Sequence, residues 1–250
     1  MSAPLTLHKA RYTGALVQPL HQHDALQLSM VLTGAVEETV GGITYTGAPL
    51  HIAVKDAGVA HANRWAPGGA QLVRLEAHGQ SLAQLTGMPE APAWRWRFDP
   101  PAIRAFLRVA SGNAESIAST DCSDTADLLA ALVARPAPRA TGAPPQWLAT
   151  VVDQLAAEWS PQLETVTLAR RAGVHPVYLA RCVRRWYGVS VGDLLRRERL
   201  RHVVAQLAHS RDRIALVAYA CGFADEAHCI RTVRQALGVT PAALRTELTA

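Results

Sequence analysis

A chain of 250 residues with 49% hydrophobic side chains can bury a core, and its length suggests one large domain or two small ones. No apolar run approaches the roughly 20 residues that a membrane span requires, and the first residues lack the basic-then-apolar layout of a signal peptide. The four cysteines show no CxxC spacing. These features exclude a membrane protein and a disulfide-rich secreted protein, and they predict a cytoplasmic one.

The net charge of +5 lies entirely in the second half of the chain. Residues 1–145 hold 11 basic and 11 acidic side chains, whereas residues 146–250 hold 14 arginines and 9 acidic side chains. A basic module joined to a neutral one indicates that one half neutralises phosphates and the other has a different task. From charge alone, an ordinary solvated helical surface is the alternative.

The N-terminal half has the sequence pattern of β-structure. Between residues 5 and 78, Leu28, Met30 and Leu32 alternate with mostly polar neighbours, and Gly41–Gly42 is a hairpin turn signal. Several short strands at this spacing predict a sandwich or a barrel.

Two helices and a linker are expected after the strands. Residues 99–133 hold two amphipathic segments, with Asp99 and Ser123 as N-caps. The sequence leaves open whether these helices pack on the barrel or join two copies of the chain in a homodimer. The prolines of residues 134–145 indicate a linker. They divide an N-terminal domain, 1–133, from a C-terminal domain, 146–250.

One group of residues in the strand region has the spacing of a ligand site: His21, His23, Gln27 and His61. The pattern HxHxxxQ, followed by Gly34, resembles the first motif of the cupin superfamily, and the segment DAGVAHAN around His61 resembles the second. Two positions depart from these motifs. Gln27 stands where cupins usually have a metal-binding Glu, and Asp56 stands where they have Pro.

The cupin resemblance implies a small β-barrel that holds a metal or an effector. Side chains alternate along a strand, so His21 and His23 on one strand should point the same way. Three imidazoles and an amide oxygen would suit Zn²⁺, Ni²⁺, Fe²⁺ or Cu²⁺, but the missing carboxylate should weaken their binding. An organic effector without a metal is the second interpretation, and purely structural histidines are the third.

The last third of the chain contains the same pattern twice. The segment LARRAGVHPVYLARCVRRWYGV (168–189) aligns with VAYACGFADEAHCIRTVRQALGV (217–239), so that Gly173 matches Gly222 and Arg181 matches Arg231. The offset is 49 residues before the turn and 50 after it. Each copy predicts a short helix, a turn at glycine and a basic second helix, which is the pattern of a helix-turn-helix. Helices are predicted over 146–159, 165–172, 176–187, 191–208, 213–221, 225–236 and 241–248.

Residues 164–248 resemble the DNA-binding domain of the AraC/XylS family of bacterial transcription regulators. The passages that carry the resemblance are the two copies themselves, above all GFADEAH and GVTPAALR. Valine or cysteine replaces the family's usual Phe at Val183, Val233 and Cys229. The resemblance implies double-stranded DNA as a partner and RNA polymerase as a further one.

The start of each second helix should meet base edges in the major groove, and the arginines that follow should meet phosphate or guanine. The expected base-reading residues are His175, Val177, Tyr178, Asp225, Glu226 and His228. The expected arginines are Arg181, Arg184, Arg185, Arg231 and Arg234.

Together these features predict an α+β protein of two domains. A cupin-like β-barrel with helices senses a small molecule or a metal ion, and an all-α domain with two helix-turn-helix units binds promoter DNA. We expect no enzymatic activity. The competing hypotheses are a metal-dependent cupin enzyme and a constitutive DNA binder whose barrel senses nothing.

Overall fold

The computed structural model describes residues 6–79, 81–86, 94–111, 131 and 144–249. The chain divides into two compact units, Met1–Arg135 together with Val233–Ala250, and Pro136–Thr232. Most of the predicted linker and of the second predicted helix, 123–133, lies outside the described residues. The predicted domain boundaries stay a prediction.

Among the described residues, seven strands form one antiparallel sheet in the N-terminal half, where the sequence predicts β-structure. They are β1 (Thr6–Tyr12), β2 (Val17–His21), β3 (Ala25–Val40), β4 (Ile43–Gly47), β5 (His51–Lys55), β6 (His61–His78) and β7 (Trp94–Phe98). The main order is β1-β6-β3-β5-β7, while β2 pairs with β6 and β4 pairs with β3. The strand β7 lies beyond the predicted strand region of 5–78.

Two long strands organise this sheet, which differs from the expectation of short strands only. β3 and β6 pair along most of their length, and the pairing shifts register near Val31 and near Gly34. Gly34 has a φ of +75°, and a side chain there would overlap the carbonyl of Gly69. The long strands can therefore bend within one sheet instead of ending.

The hairpin predicted at Gly41–Gly42 is confirmed. Val40 and Ile43 are the last paired residues of β3 and β4. Both glycines have positive φ, at 56° and 81°, as the central residues of a type I′ turn require.

Apolar packing explains why the middle of the sheet is buried. Leu26, Leu28 and Met30 on β3 and Ile52 on β5 are fully buried. A second cluster forms around Trp65, whose ring stacks on Tyr12 with 3.7 Å between centroids. Burial of such side chains contributes about 1.5–3 kcal/mol each.

The described residues of the N-terminal half also contain two helices, α1 (Leu82–Thr86) between β6 and β7 and α2 (Pro100–Ser111) after β7. The predicted cap of α2 is confirmed, since the Asp99 Oδ1 accepts the backbone N–H of Ala102 at 3.1 Å. Ile103 and Phe106 are buried one turn apart on α2, as an amphipathic helix requires.

The rest of the described chain is helical, and each helix lies within two residues of its predicted bounds. The helices are α3 (Gln146–Ala157), α4 (Thr165–Arg171), α5 (Pro176–Tyr187), α6 (Val191–His209), α7 (Ile214–Ala220), α8 (Glu226–Leu237) and α9 (Pro241–Thr249). Leu148, Leu168, Leu179 and Leu195, from four different helices, share one core. Among the described residues, no helix combines the length and apolar character that crossing a membrane requires.

Candidate functional site

The two repeats fold into the same turn. After α4, Gly173 has a φ of +66° and donates its N–H to Arg170 O at 3.1 Å, while Val174 donates to Ala169 O at 3.0 Å. The second turn has the same pair of bonds at equivalent positions. After α7, Gly222 has a φ of +75° and donates to Tyr219 O at 3.0 Å, and Phe223 donates to Ala218 O at 3.0 Å. This is the left-handed glycine ending that releases the chain into a second helix.

Equivalent residues cap the two second helices, but they have different chemistry. At α5 the His175 Nδ1 accepts the N–H of Val177 at 3.3 Å. At α8 the Asp225 Oδ1 accepts the N–H of His228 at 2.5 Å. The cap of α5 is therefore an imidazole nitrogen, whereas the cap of α8 is a carboxylate oxygen.

The exposed faces of α5 and α8 carry the predicted DNA-reading side chains. All five predicted arginines are exposed, as are His175, Asp225 and Glu226, while His228 is half-buried. Val177 and Tyr178 are 59% and 49% exposed. The Tyr178 ring stacks on Trp147 of α3 with 5.9 Å between centroids, so Trp147 supports one face of the Tyr178 ring.

The opposite faces of these helices are core. Val183 and Cys182 of α5 and Cys229 and Val233 of α8 are all buried. The residues that replace the family's usual Phe are therefore smaller apolar core residues. They leave the exposed faces of both helices unchanged.

A cavity not foreseen from the sequence lies beside α5. It has a volume of about 340 Å³ and is lined by Ala180, Arg181, Arg184 and Ser190. Ser190 caps α6, where its Oγ accepts the N–H of Asp193 at 3.1 Å. Two guanidinium groups beside a helix N-terminus favour an anionic oxygen group such as a DNA phosphate.

Comparison with known proteins adds sequence evidence for the helical part. A family described as a helix-turn-helix domain matches residues 168–247. The HTH-type transcriptional regulator GlxA of Rhizobium meliloti (strain 1021) is 34% identical over 98 residues, which are 39% of this chain and 30% of that protein. This chain therefore spans less than a third of that relative.

Residues 168–247 form a helix-turn-helix domain.

Solved structures are also similar to this chain. The DNA-binding domain of AdpA in complex with a target DNA is 28% identical, over 42% of this chain and 93% of that one, with a TM-score of 0.38. ToxT from Vibrio cholerae O395 is 10% identical over 99% of both chains, with a TM-score of 0.41. Scores below 0.5 do not establish a common arrangement of the whole chain.

Outside the helix-turn-helix domain, the three predicted histidines converge. The ring nitrogens of His21, His23 and His61 that could bind a ligand all lie within 4.8 Å of one another. His21 and His61 are directly paired across β2 and β6. We refer to His21, His23 and His61 as the histidine cluster.

The expectation that His21 and His23 share a strand is wrong. β2 ends at His21, and His23 lies in the connection to β3. Asn63 of β6 pairs with both Gln18 of β2 and Glu38 of β3, so β6 lies between these strands. The chain must therefore cross the end of β6 beside His61, and this crossing brings His23 to the cluster.

Two backbone carbonyls fix the tautomers of the cluster. The Nδ1 atom of His21 is 2.7 Å from Pro19 O, and Nδ1 of His61 is 2.9 Å from Val59 O. A carbonyl can only accept, so each Nδ1 carries the proton and each Nε2 keeps its lone pair.

An ion pair that the sequence did not indicate lies beside the histidine cluster. Lys55 Nζ donates to Glu38 Oε1 at 2.7 Å and lies 3.2 Å from His61 Nε2. Burial, and then the positive charge of Lys55, lowers the pKa of His61 to about 4. Burial, followed by the charges of Lys55 and Arg74, also lowers the pKa of His23. Both imidazoles are therefore neutral at pH 7.

Gln27 is buried, and its amide is oriented by an acidic neighbour. Its Nε2 donates to Glu76 Oε1 at 2.9 Å. Its Oε1 has no hydrogen-bond partner among the described residues. Gln27 can therefore offer one acceptor oxygen to a ligand.

Proposed function

We propose that this chain is a transcription regulator that reads double-stranded DNA with two recognition helices, α5 and α8. The duplicated turn carries this proposal, because it presents Arg181 and Arg184 in one copy and Arg231 and Arg234 in the other at equivalent exposed positions. Exposed guanidinium groups along one helix face suit phosphate oxygens and guanine.

The two recognition helices contribute differently to DNA affinity and to base selection. α5 carries Arg181, Arg184 and Arg185 and no acidic residue, whereas α8 begins with Asp225 and Glu226. A cationic helix attracts the phosphate backbone at any sequence, and carboxylates at a helix start are repelled by phosphate. α5 therefore contributes most of the salt-dependent affinity, and α8 contributes base selection.

Within α8, Glu226 is the residue that reads a base. Asp225 is occupied as the helix cap, so its carboxylate stabilises the helix. Glu226 is exposed at the first turn. A carboxylate that accepts a hydrogen bond in the major groove favours the N4 amino group of cytosine.

Selection of duplexes from a random pool, followed by fluorescence anisotropy, tests the DNA-binding proposal. We expect the selected duplex to bind at least about 1000-fold more tightly than a scrambled duplex of equal length, a ratio usual for specific binding. Equal affinities for the two duplexes would contradict the proposal.

Base-by-base substitution of the selected duplex tests Glu226. Replacing the contacted cytosine should cost wild-type protein about 1–3 kcal/mol and should cost Glu226→Gln clearly less. Asp225→Asn is the matched control, because it changes a neighbouring carboxylate but should leave the base preference intact. An unchanged preference in Glu226→Gln would assign base reading to another residue.

The sensing half of the proposal rests on the histidine cluster. A small effector would bind at His21, His23, Gln27 and His61 and alter promoter binding. A metal ion such as Zn²⁺, Ni²⁺, Fe²⁺ or Cu²⁺ is the other ligand that the cupin resemblance implies for these residues. A ligand changes DNA affinity only if it binds the two forms of the protein unequally. A ligand that binds the N-terminal half without changing DNA affinity would favour a constitutive DNA binder. RNA polymerase is a further partner that the family resemblance implies, and a second copy of the chain is a partner that the predicted helices of residues 99–133 could join.

A further inference from the structure

The strongest unexplained feature of the N-terminal half is the buried lysine in the histidine cluster. The side chains of Lys55, Glu38 and His61 are at most 5% exposed, and they come from three strands, β5, β3 and β6. The chain has only two lysines. One of them lies at the position where the cupin resemblance would suggest a metal ion.

The lone pair of His61 that a metal would need is already used. Because His61 Nδ1 donates to Val59 O, the acceptor on this ring is Nε2, and Lys55 Nζ lies 3.2 Å from it. A single lone pair cannot accept a hydrogen bond from an ammonium group and coordinate a metal at the same time.

The cupin motif would place a carboxylate at position 27, but the carboxylate that lies near His61 belongs to Glu38. Glu38 Oε1 lies 4.0 Å from His61 Nε2 and 2.7 Å from Lys55 Nζ. Ligand atoms around one metal ion are each about 2.0–2.2 Å from it, so a carboxylate at this distance could join the same coordination sphere. In the native chain its charge is balanced by Lys55 instead.

The buried charges beside the cluster are therefore balanced without a metal. Lys55 and Glu38 form an ion pair at 2.7 Å, so their charges cancel. A divalent ion would have to approach an ammonium group at about 4 Å in a medium of low dielectric, where repulsion is strong. The donor set as it stands does not fit a divalent metal.

We infer that the Lys55 ammonium takes the place of a divalent metal ion between Glu38 and His61. Lys55 thereby determines the specificity of the histidine cluster, which excludes transition metals. Removing the ammonium frees the His61 Nε2 lone pair and creates a metal site with three imidazoles. This inference concerns the histidine cluster and does not depend on DNA binding.

Titration of the full-length, untagged protein with Co²⁺, followed by visible absorption, tests the inference. Wild type should bind no stoichiometric Co²⁺ at the cluster, and elemental analysis after purification should find no metal retained there. Lys55→Met should bind one Co²⁺ per chain about 100-fold or more tightly than wild type, because the repulsive charge is gone. Adding His61→Ala to Lys55→Met should abolish this site.

Two further variants separate charge from folding. Lys9→Met removes the other lysine, which is exposed on β1, and should behave as wild type. Lys55→Arg keeps the cation and should also fail to bind Co²⁺. Stoichiometric metal in the wild-type protein, lost in His61→Ala, would overturn the inference even if Lys55→Met did not fold. A folded Lys55→Met variant without a Co²⁺ site would overturn it equally.

Discussion

At the scale of residues, the exposed arginines of the helix-turn-helix domain should determine how strongly DNA binding depends on salt. Arg231 is exposed on α8 at the position equivalent to Arg181 on α5. If it contacts a phosphate, Arg231→Ala should weaken binding to every duplex by a similar factor and reduce the slope of log K against log salt by about 0.9. Anisotropy titrations at salt concentrations from about 50 to about 200 mM measure this slope. Arg64→Ala, which removes an exposed charge from the N-terminal sheet, is the control, and an unchanged slope in Arg231→Ala would remove Arg231 from the phosphate contacts.

The buried His61 should make stability depend on pH. Its pKa is about 4 in the folded protein, against about 6.5 in an unfolded chain. Between these pH values the unfolded chain binds more protons than the folded protein. The contribution of His61 to the free energy of unfolding is therefore complete above about pH 6.5 and is lost as the pH falls toward 4. The loss is at most about 3 kcal/mol. Urea unfolding of wild type and His61→Asn at neutral and acid pH should show a smaller pH effect in the variant, and parallel curves would contradict this prediction.

At the scale of elements, the two helix-turn-helix turns have the same backbone but different surroundings. A Cβ on Gly222 would lie 2.5 Å from Pro161 O, whereas a Cβ on Gly173 would meet no atom within 4 Å. Both glycines have positive φ, which alone costs an alanine about 1 kcal/mol. Gly173→Ala should lower the free energy of unfolding by about that amount, and Gly222→Ala by clearly more. Urea unfolding monitored by circular dichroism compares them, and equal losses would show that the Pro161 contact relaxes freely.

The sequence predicted the helices far better than the edges of the sheet. Leucine periodicity, caps and glycines are local signals, so helices such as α5 and α6 were located to within two residues. The strand β7 was missed, although its alternating sequence WRWRF is a strand signal. The end of β2 at His21 was also missed. It depends on pairing with β6, which lies about 40 residues further along the chain.

At the scale of the whole molecule, the spacing of the two DNA half-sites should be fixed. Along the chain, α6 lies between the two helix-turn-helix units, and its 19 residues span about 28 Å. Recognition helices in successive major grooves are about 34 Å, or one DNA turn, apart. Inserting 5 or 10 base pairs between the half-sites should reduce affinity to that of one half-site, at least about 100-fold. Recovery with the 10-base-pair insertion would indicate a flexible connection in place of a rigid helix.

The sequence by itself determined the α+β composition, the repeated helix-turn-helix units and the exposed residues of the two second helices. These depend on local periodicity and on a comparison of the chain with itself. Only the tertiary structure decided the chemistry of the histidine cluster. Lys55 and Glu38 belong to no motif, and they meet His61 because three strands pair in one register. Buried charges require a partner wherever the fold places one, and spacing along the chain does not reveal that partner.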